Sequence, residues 1–168
     1  MYGVREGIPP KSSTRLYSQA SDPPLARSVN SRKAFAPQSG SAMRAVDTNV
    51  LVRLITRDHP QQTASAEAFV TRGAWVSHIV LVETTWMLDS VFGLAHPQIA
   101  KAVEMLLSHR DLVLQDPDVV QAALAHYRKR PKLGFSDCMV LEVARKSGHL
   151  PLATFDRHLS KLNGAEPL

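Results

Sequence analysis

From Met43 onward the chain alternates short apolar runs with longer stretches of helical periodicity. No other feature restricts it so strongly, because a repeated strand-then-helix order folds into a parallel sheet covered by helices. The spacing predicts a first strand over 44–47 and a helix over 49–56. Pro60 suits the first turn of a second helix reaching about Arg72, with Ala64, Ala68 and Phe69 on its inner side. A strand over 75–77 precedes a helix over 79–92 that stops near Gly93. Pro97 opens a helix to Leu107 with Ile99, Val103, Leu106 and Leu107 inward, and a third strand covers 111–115. Asp116 is placed to cap a helix whose Val119, Val120, Ala123, Leu124 and Tyr127 share one face. Ser136 is placed to cap another running to about Lys146, and 150–154 reads as a strand. The expected fold is α/β, a doubly wound three-layer sandwich with a mainly parallel sheet of four to five strands.

Residues 1–42 lie outside this alternation. They hold five prolines, eight serines and three glycines without sustained apolar periodicity, a composition that cannot offset the entropy lost on folding. The expectation is a disordered tail or a misassigned start, translation beginning at Met43, with residues 43–168 forming one domain. The formal charge of +5 divides unevenly. Six Lys or Arg against Glu6 and Asp22 give the first 42 residues +4, which leaves +1 for the rest, so net basicity says little about what the domain binds. No apolar run reaches the roughly 18–20 uncharged residues of a membrane-spanning helix. Cys138 is the only cysteine, which excludes an internal disulfide and a cysteine-based zinc site and fits a cytoplasmic protein.

Four acids occupy places where the pattern demands an explanation. Asp47 ends the first strand as Asp156 ends the last. Glu83 shares a spacing-of-four stripe with Ile79 and Met87, and Asp137 aligns with Val140, Leu141 and Ala144, so both are expected to face apolar surroundings. Strand ends and the starts of the following helices lie at one edge of an open parallel sheet, where ligands bind. Clustered carboxylates need a compensating charge, and oxygen-only donors suit Mg²⁺ or Mn²⁺. Such a site implies phosphodiester hydrolysis. Three of the acids also have a plainer reading, Asp47 and Asp156 as caps and Asp137 as a first-turn acid favoured by the helix dipole; Glu83, about a turn inside its helix on an apolar stripe, is the hardest to explain in this way.

The motifs D-T-N-V-L-V-R at 47–53, L-V-E-T-T-W around Glu83, F-S-D-C-M-V at 135–140 and T-F-D at 154–156 resemble the PIN-domain ribonucleases, particularly the VapC-type toxins of bacterial toxin–antitoxin pairs. The resemblance implies a PIN-like nuclease domain cleaving RNA with Mg²⁺ or Mn²⁺ held by Asp47, Glu83, Asp137 and Asp156, with Asn49 orienting Asp47 and Thr154 supporting the ion through its hydroxyl. It also implies a homodimer and a cognate antitoxin filling the acidic groove. The ending N-G-A-E-P-L leaves the family's last edge strand short or missing.

Phosphate contacts must come from the rim of an acidic cleft, and Arg128, Lys129, Arg130 and Lys132 are the local candidates, with Arg53 and Arg57 behind them. Trp86, Leu88, Val91 and Phe92 exceed what one helix face buries, which fits a dimer or antitoxin surface. The seven histidines are scattered without ligand-like spacing. Two alternatives remain at this point: a non-catalytic PIN-like module binding RNA or protein, and a receiver-like Mg²⁺-dependent phosphotransfer domain.

Overall fold

A computed structural model describes residues 43–168; the expected tail or start over 1–42 lies outside the described residues. Strand β1 (Arg44–Ala45) leads into α1 (Thr48–Thr56), followed by α2 (Pro60–Val70), β2 (Ala74–Val76), α3 (His78–Ser90), α4 (His96–Ser108), β3 (Leu112–Leu114), α5 (Pro117–Lys129), α6 (Phe135–Lys146), β4 (Leu152–Thr154), a 3-10 turn (Leu159–Lys161) and β5 (Ala165–Pro167). The predicted order is the observed one. The strands, two or three residues each, are shorter than expected.

All pairings are parallel. One sheet has the order β1-β2-β3, with Arg44 beside Ala74 and Trp75 beside Val113, and β4 pairs with β5 as a second sheet. Among the described residues five strands are thus present, divided three and two. The last edge strand exists and is short, with Leu152 N–H donating to the Gly164 carbonyl and Leu168 N–H to that of Thr154. Arg145 holds this end of the chain by donating to the Asn163 carbonyl.

The core joins sheet and helices through Leu51, Val76, Leu81, Leu88, Val103, Val120, Met139 and Leu141. Burying each such side chain stabilises by about 1.5–3 kcal/mol. Helix α5 buries Val119, Val120, Ala123, Leu124 and Tyr127, the face its spacing predicts. Helix α4 buries Ile99, Ala100, Ala102, Val103 and Leu106, while Leu107 is only half-buried.

Several expectations are corrected. Helix α2 turns Thr63, Ala66 and Val70 inward and leaves Ala64 and Ala68 exposed, because the Thr63 hydroxyl finds an acceptor in the Arg53 carbonyl of α1. Helix α3 is apolar nearly all round, so a spacing of four does not select its inner face. It buries Leu81, Thr84, Thr85 and Leu88, leaving Ile79 79% and Trp86 63% exposed. Ser136 lies inside α6 rather than capping it, since Gly134 holds that position. Asp116 precedes α5 in a left-handed conformation without a side-chain cap, its carboxylate turned to Lys146 Nζ at 2.7 Å. No described helix is long and apolar enough to cross a membrane.

Candidate active site at the carboxyl edge of the sheet

Asp47 follows β1 with extended backbone, and its Oδ1 accepts the Val50 N–H at 3.0 Å, the N-cap geometry that starts α1. The carboxylate is exposed. Its place in an apolar run is explained by position: Val46 and Leu51 turn inward on either side while Asp47 faces water. Val50 N–H, rather than the Asn49 side chain, holds this oxygen. Asn49 is exposed and lines the α1–α2 hollow with Asp47, Arg53 and His59.

Ser77 caps α3 from the end of the neighbouring strand β2, accepting the Val80 N–H at 3.2 Å. Glu83 stands a turn and a half further on, and it is exposed rather than buried on the core stripe. The Thr48 hydroxyl donates to Glu83 Oε2 at 2.5 Å. Thr48 is itself buried at the first position of α1, so the residue next to Asp47 fixes the carboxylate of Glu83.

Asp137 lies in the first turn of α6, half-exposed, where Oδ2 accepts the Gly134 N–H at 3.1 Å. A Cβ at Gly134 would stand 3.1 Å from that oxygen, so a side chain there would crowd the carboxylate. Val140, assigned with Asp137 to the core stripe, is exposed; the inward residues are Phe135, Cys138, Met139, Leu141 and Glu142. Glu83 and Ser136, the neighbour of Asp137, line one α3–α6 groove together with the exposed Ile79, Trp86 and Val140.

Asp156 serves as the cap its plainer reading gave it. Its Oδ1 accepts the N–H groups of His158 at 2.6 Å and Leu159 at 2.8 Å, and these bonds, the one from Leu159 first, hold its carboxyl below the usual aspartate range. The Thr154 hydroxyl accepts the Asp156 N–H at 3.0 Å. Asp156 lines neither of the two hollows described for Asp47 and Glu83.

The structure therefore joins Asp47 to Glu83 through Thr48 and puts Asp137 beside the groove that Glu83 lines. The donors are oxygens only, which suits Mg²⁺ or Mn²⁺. Among the described residues, no three His, Cys, Asp or Glu side chains stand close enough as placed to hold one ion. Cys138 is buried, and burial first, then the Asp137 charge, push its thiol up to about 12, so it is an inert core residue.

Of the basic candidates, Arg128 pairs with Glu104 at 2.7 Å, whereas Lys129 and Lys132 are exposed and Arg130 is half-exposed. Arg53 is engaged by Asp58 and Gln62, and Arg57 by Glu67. Among the apolar surplus on α3, Leu88 is fully buried, Phe92 half-buried, and Trp86 and Val91 are exposed.

Two contributors escaped the sequence reading. Thr48 could have been found from its place between Asp47 and Asn49. Glu142, 6% exposed, accepts from Arg145 Nε at 3.2 Å and meets His126 Nε2 at 3.0 Å, joining α5 to α6; nothing in its spacing distinguished it from a solvated acid. A family model described as the PIN domain matches residues 44–165. No curated protein matches the chain.

Proposed function

Since this chain belongs to the PIN-domain family, whose members are generally metal-dependent nucleases, we propose that it is a Mg²⁺- or Mn²⁺-dependent endoribonuclease and the toxin of a type II toxin–antitoxin pair. Residues 43–168 would be the nuclease domain, and a cognate antitoxin and a second copy of the chain its protein partners. The observation that carries the reading is the Thr48–Glu83 hydrogen bond, which ties the acid on α3 to the strand end occupied by Asp47.

In this reading Asp47, Glu83, Asp137 and Asp156 would hold the ion, with Thr154 supporting them by its hydroxyl. When bound, the cation neutralises charge on the phosphoryl oxygens and makes water a better nucleophile. The chain's own part is positioning. Val50 N–H and Gly134 N–H each occupy one oxygen of Asp47 and Asp137 and orient the other. Thr48 presents Glu83, and Lys129, Arg130 and Lys132 offer charge to the RNA backbone from the rim.

The test is cleavage of single-stranded RNA with Mg²⁺ or Mn²⁺ and with EDTA. Asp47→Asn should abolish metal-dependent cleavage while leaving the circular dichroism spectrum and melting temperature near wild type. Full retained activity in that variant rejects the assignment. A second reading is a PIN-like module that binds RNA or protein without turnover. It requires wild-type protein to bind RNA and show no metal-dependent cleavage.

A further inference from the structure

A cleft of about 380 Å³ opens between α3, the start of α4 and the α5–α6 junction, next to the groove that Glu83 lines. Its volume lies within the roughly 300–1,000 Å³ of small-molecule sites. Trp86, one turn along α3 from Glu83, forms one wall and is 63% exposed. Tyr127 forms another, with the His96 ring stacked on it at 3.8 Å. His96 Nε2 is buried and has no hydrogen-bond partner among the described residues, a polar atom left without a partner in the cleft wall. Asp89 and Lys132, both exposed, supply one acceptor-only and one donor-only group. Val82, Trp86 and Ser136 line both this cleft and the Glu83 groove, so the two adjoin.

The geometry points to a binding site for one unstacked purine base of the RNA, guanine, stacked on Trp86 with Asp89 accepting from its N1–H and 2-amino group and Lys132 donating to O6. Single-stranded RNA is recognised in this way, by bases turned out onto aromatic side chains and bonded along their Watson–Crick edges. The donor and acceptor sets match guanine and not adenine, which lacks an N1–H and carries an amino group where guanine has O6. Asp89 and Tyr127 line the same cleft, and burial first, then the Asp89 charge, push the Tyr127 phenol up to about 12. The inference rests on the proposal that the substrate is RNA and adds which nucleotide is selected beside the scissile phosphate.

Fluorescence anisotropy in EDTA reads binding without cleavage. The probes are labelled single-stranded RNA hexamers carrying one G, or A or inosine in its place. Wild-type protein should bind the G hexamer at least about fivefold more tightly than the A hexamer, the lower end of discrimination by a bidentate base contact. Inosine, without the 2-amino group, should fall between them. Asp89→Asn, an isosteric change at an exposed site, should erase the preference, and Trp86→Ala should weaken all three hexamers. Equal affinities that neither variant changes overturn the inference. So does a Trp86→Ala variant that alters only the oligomeric state in gel filtration, which would make the cleft a protein interface. Base-selective binding by a protein that never cleaves would sink the nuclease reading and leave this one standing. Metal-dependent, Asp47-dependent cleavage without base preference would do the reverse.

Discussion

The Thr48 hydroxyl and the Glu83 carboxylate meet at 2.5 Å although 35 positions separate them in the chain. One residue before Thr48 stands Asp47, so this bond sets the acid of α3 relative to the end of β1. Thr48→Val keeps the side-chain shape and removes the donor. Loss of one such bond, made to a charged group, costs about 1.5–3 kcal/mol of stability. If Thr48 positions Glu83, the kcat of RNA cleavage should fall about tenfold or more, equivalent to about 1.4 kcal/mol of barrier, with KM for RNA little changed. Thr48→Ser should restore most of it. A stability loss with unchanged kcat would leave Thr48 a purely structural residue.

Glu142 ties α5 to α6 through His126 and Arg145 while almost wholly withdrawn from water. Glu142→Gln removes the charge both partners address and should destabilise the domain by about 1–3 kcal/mol. Urea unfolding followed by circular dichroism measures this as a lower midpoint with an unchanged slope.

Asp156 gives a pH signature of folding. Its carboxyl is held below the ordinary value of 3.8 by the N–H groups of Leu159 and His158. A depressed folded-state value means that the ionised form stabilises the fold above the unfolded value, and that this is lost as pH falls through the folded one. Asp156→Asn should therefore melt below wild type at pH 7, and the difference should shrink as pH drops beneath about 4. Thermal melts at pH 7 and pH 3 without added metal decide it; a constant difference would show that the ionised carboxylate is irrelevant to the turn.

The basic rim should respond to Glu104. An exposed pair such as Arg128–Glu104 is worth at most about 1 kcal/mol. Glu104→Gln frees Arg128 and should raise RNA affinity by up to about fivefold on that scale. Neutralising Lys129 and Arg130 together should lower the slope of log affinity against log salt by about two, one per lost phosphate contact. Anisotropy titrations at several salt concentrations measure both effects.

The strand–helix alternation was legible because several helices carry start or stop signals, such as Pro60, Gly93 and Pro97. The inner face of α5 was legible too, since charged residues flank one apolar stripe. On α3 apolar residues surround the helix, so pattern could not choose between Leu81 and Ile79, and Glu83 was placed inward when it is exposed. On α2 the buried stripe is Thr63, Ala66 and Val70, and a polar residue such as Thr63 gives no apolar signal from which to read that face. The four acids could be placed at strand ends and helix starts from order alone. How their oxygens are engaged could not, because Val50, Gly134, His158 and Leu159 act through backbone N–H groups that side-chain identity does not reveal.

Backbone hydrogen bonds divide the strands into a trio that ends near Asp47 and a pair that ends near Asp156, with no ladder between them among the described residues. An ion drawing on both carboxylates would be a cross-link where the main chain provides none. Amide exchange at Leu152 and Leu168, whose N–H groups close the β4–β5 pair, should then slow when Mg²⁺ is added and recover with EDTA. Local opening of that pair would thus report on occupancy of the acids without any RNA present.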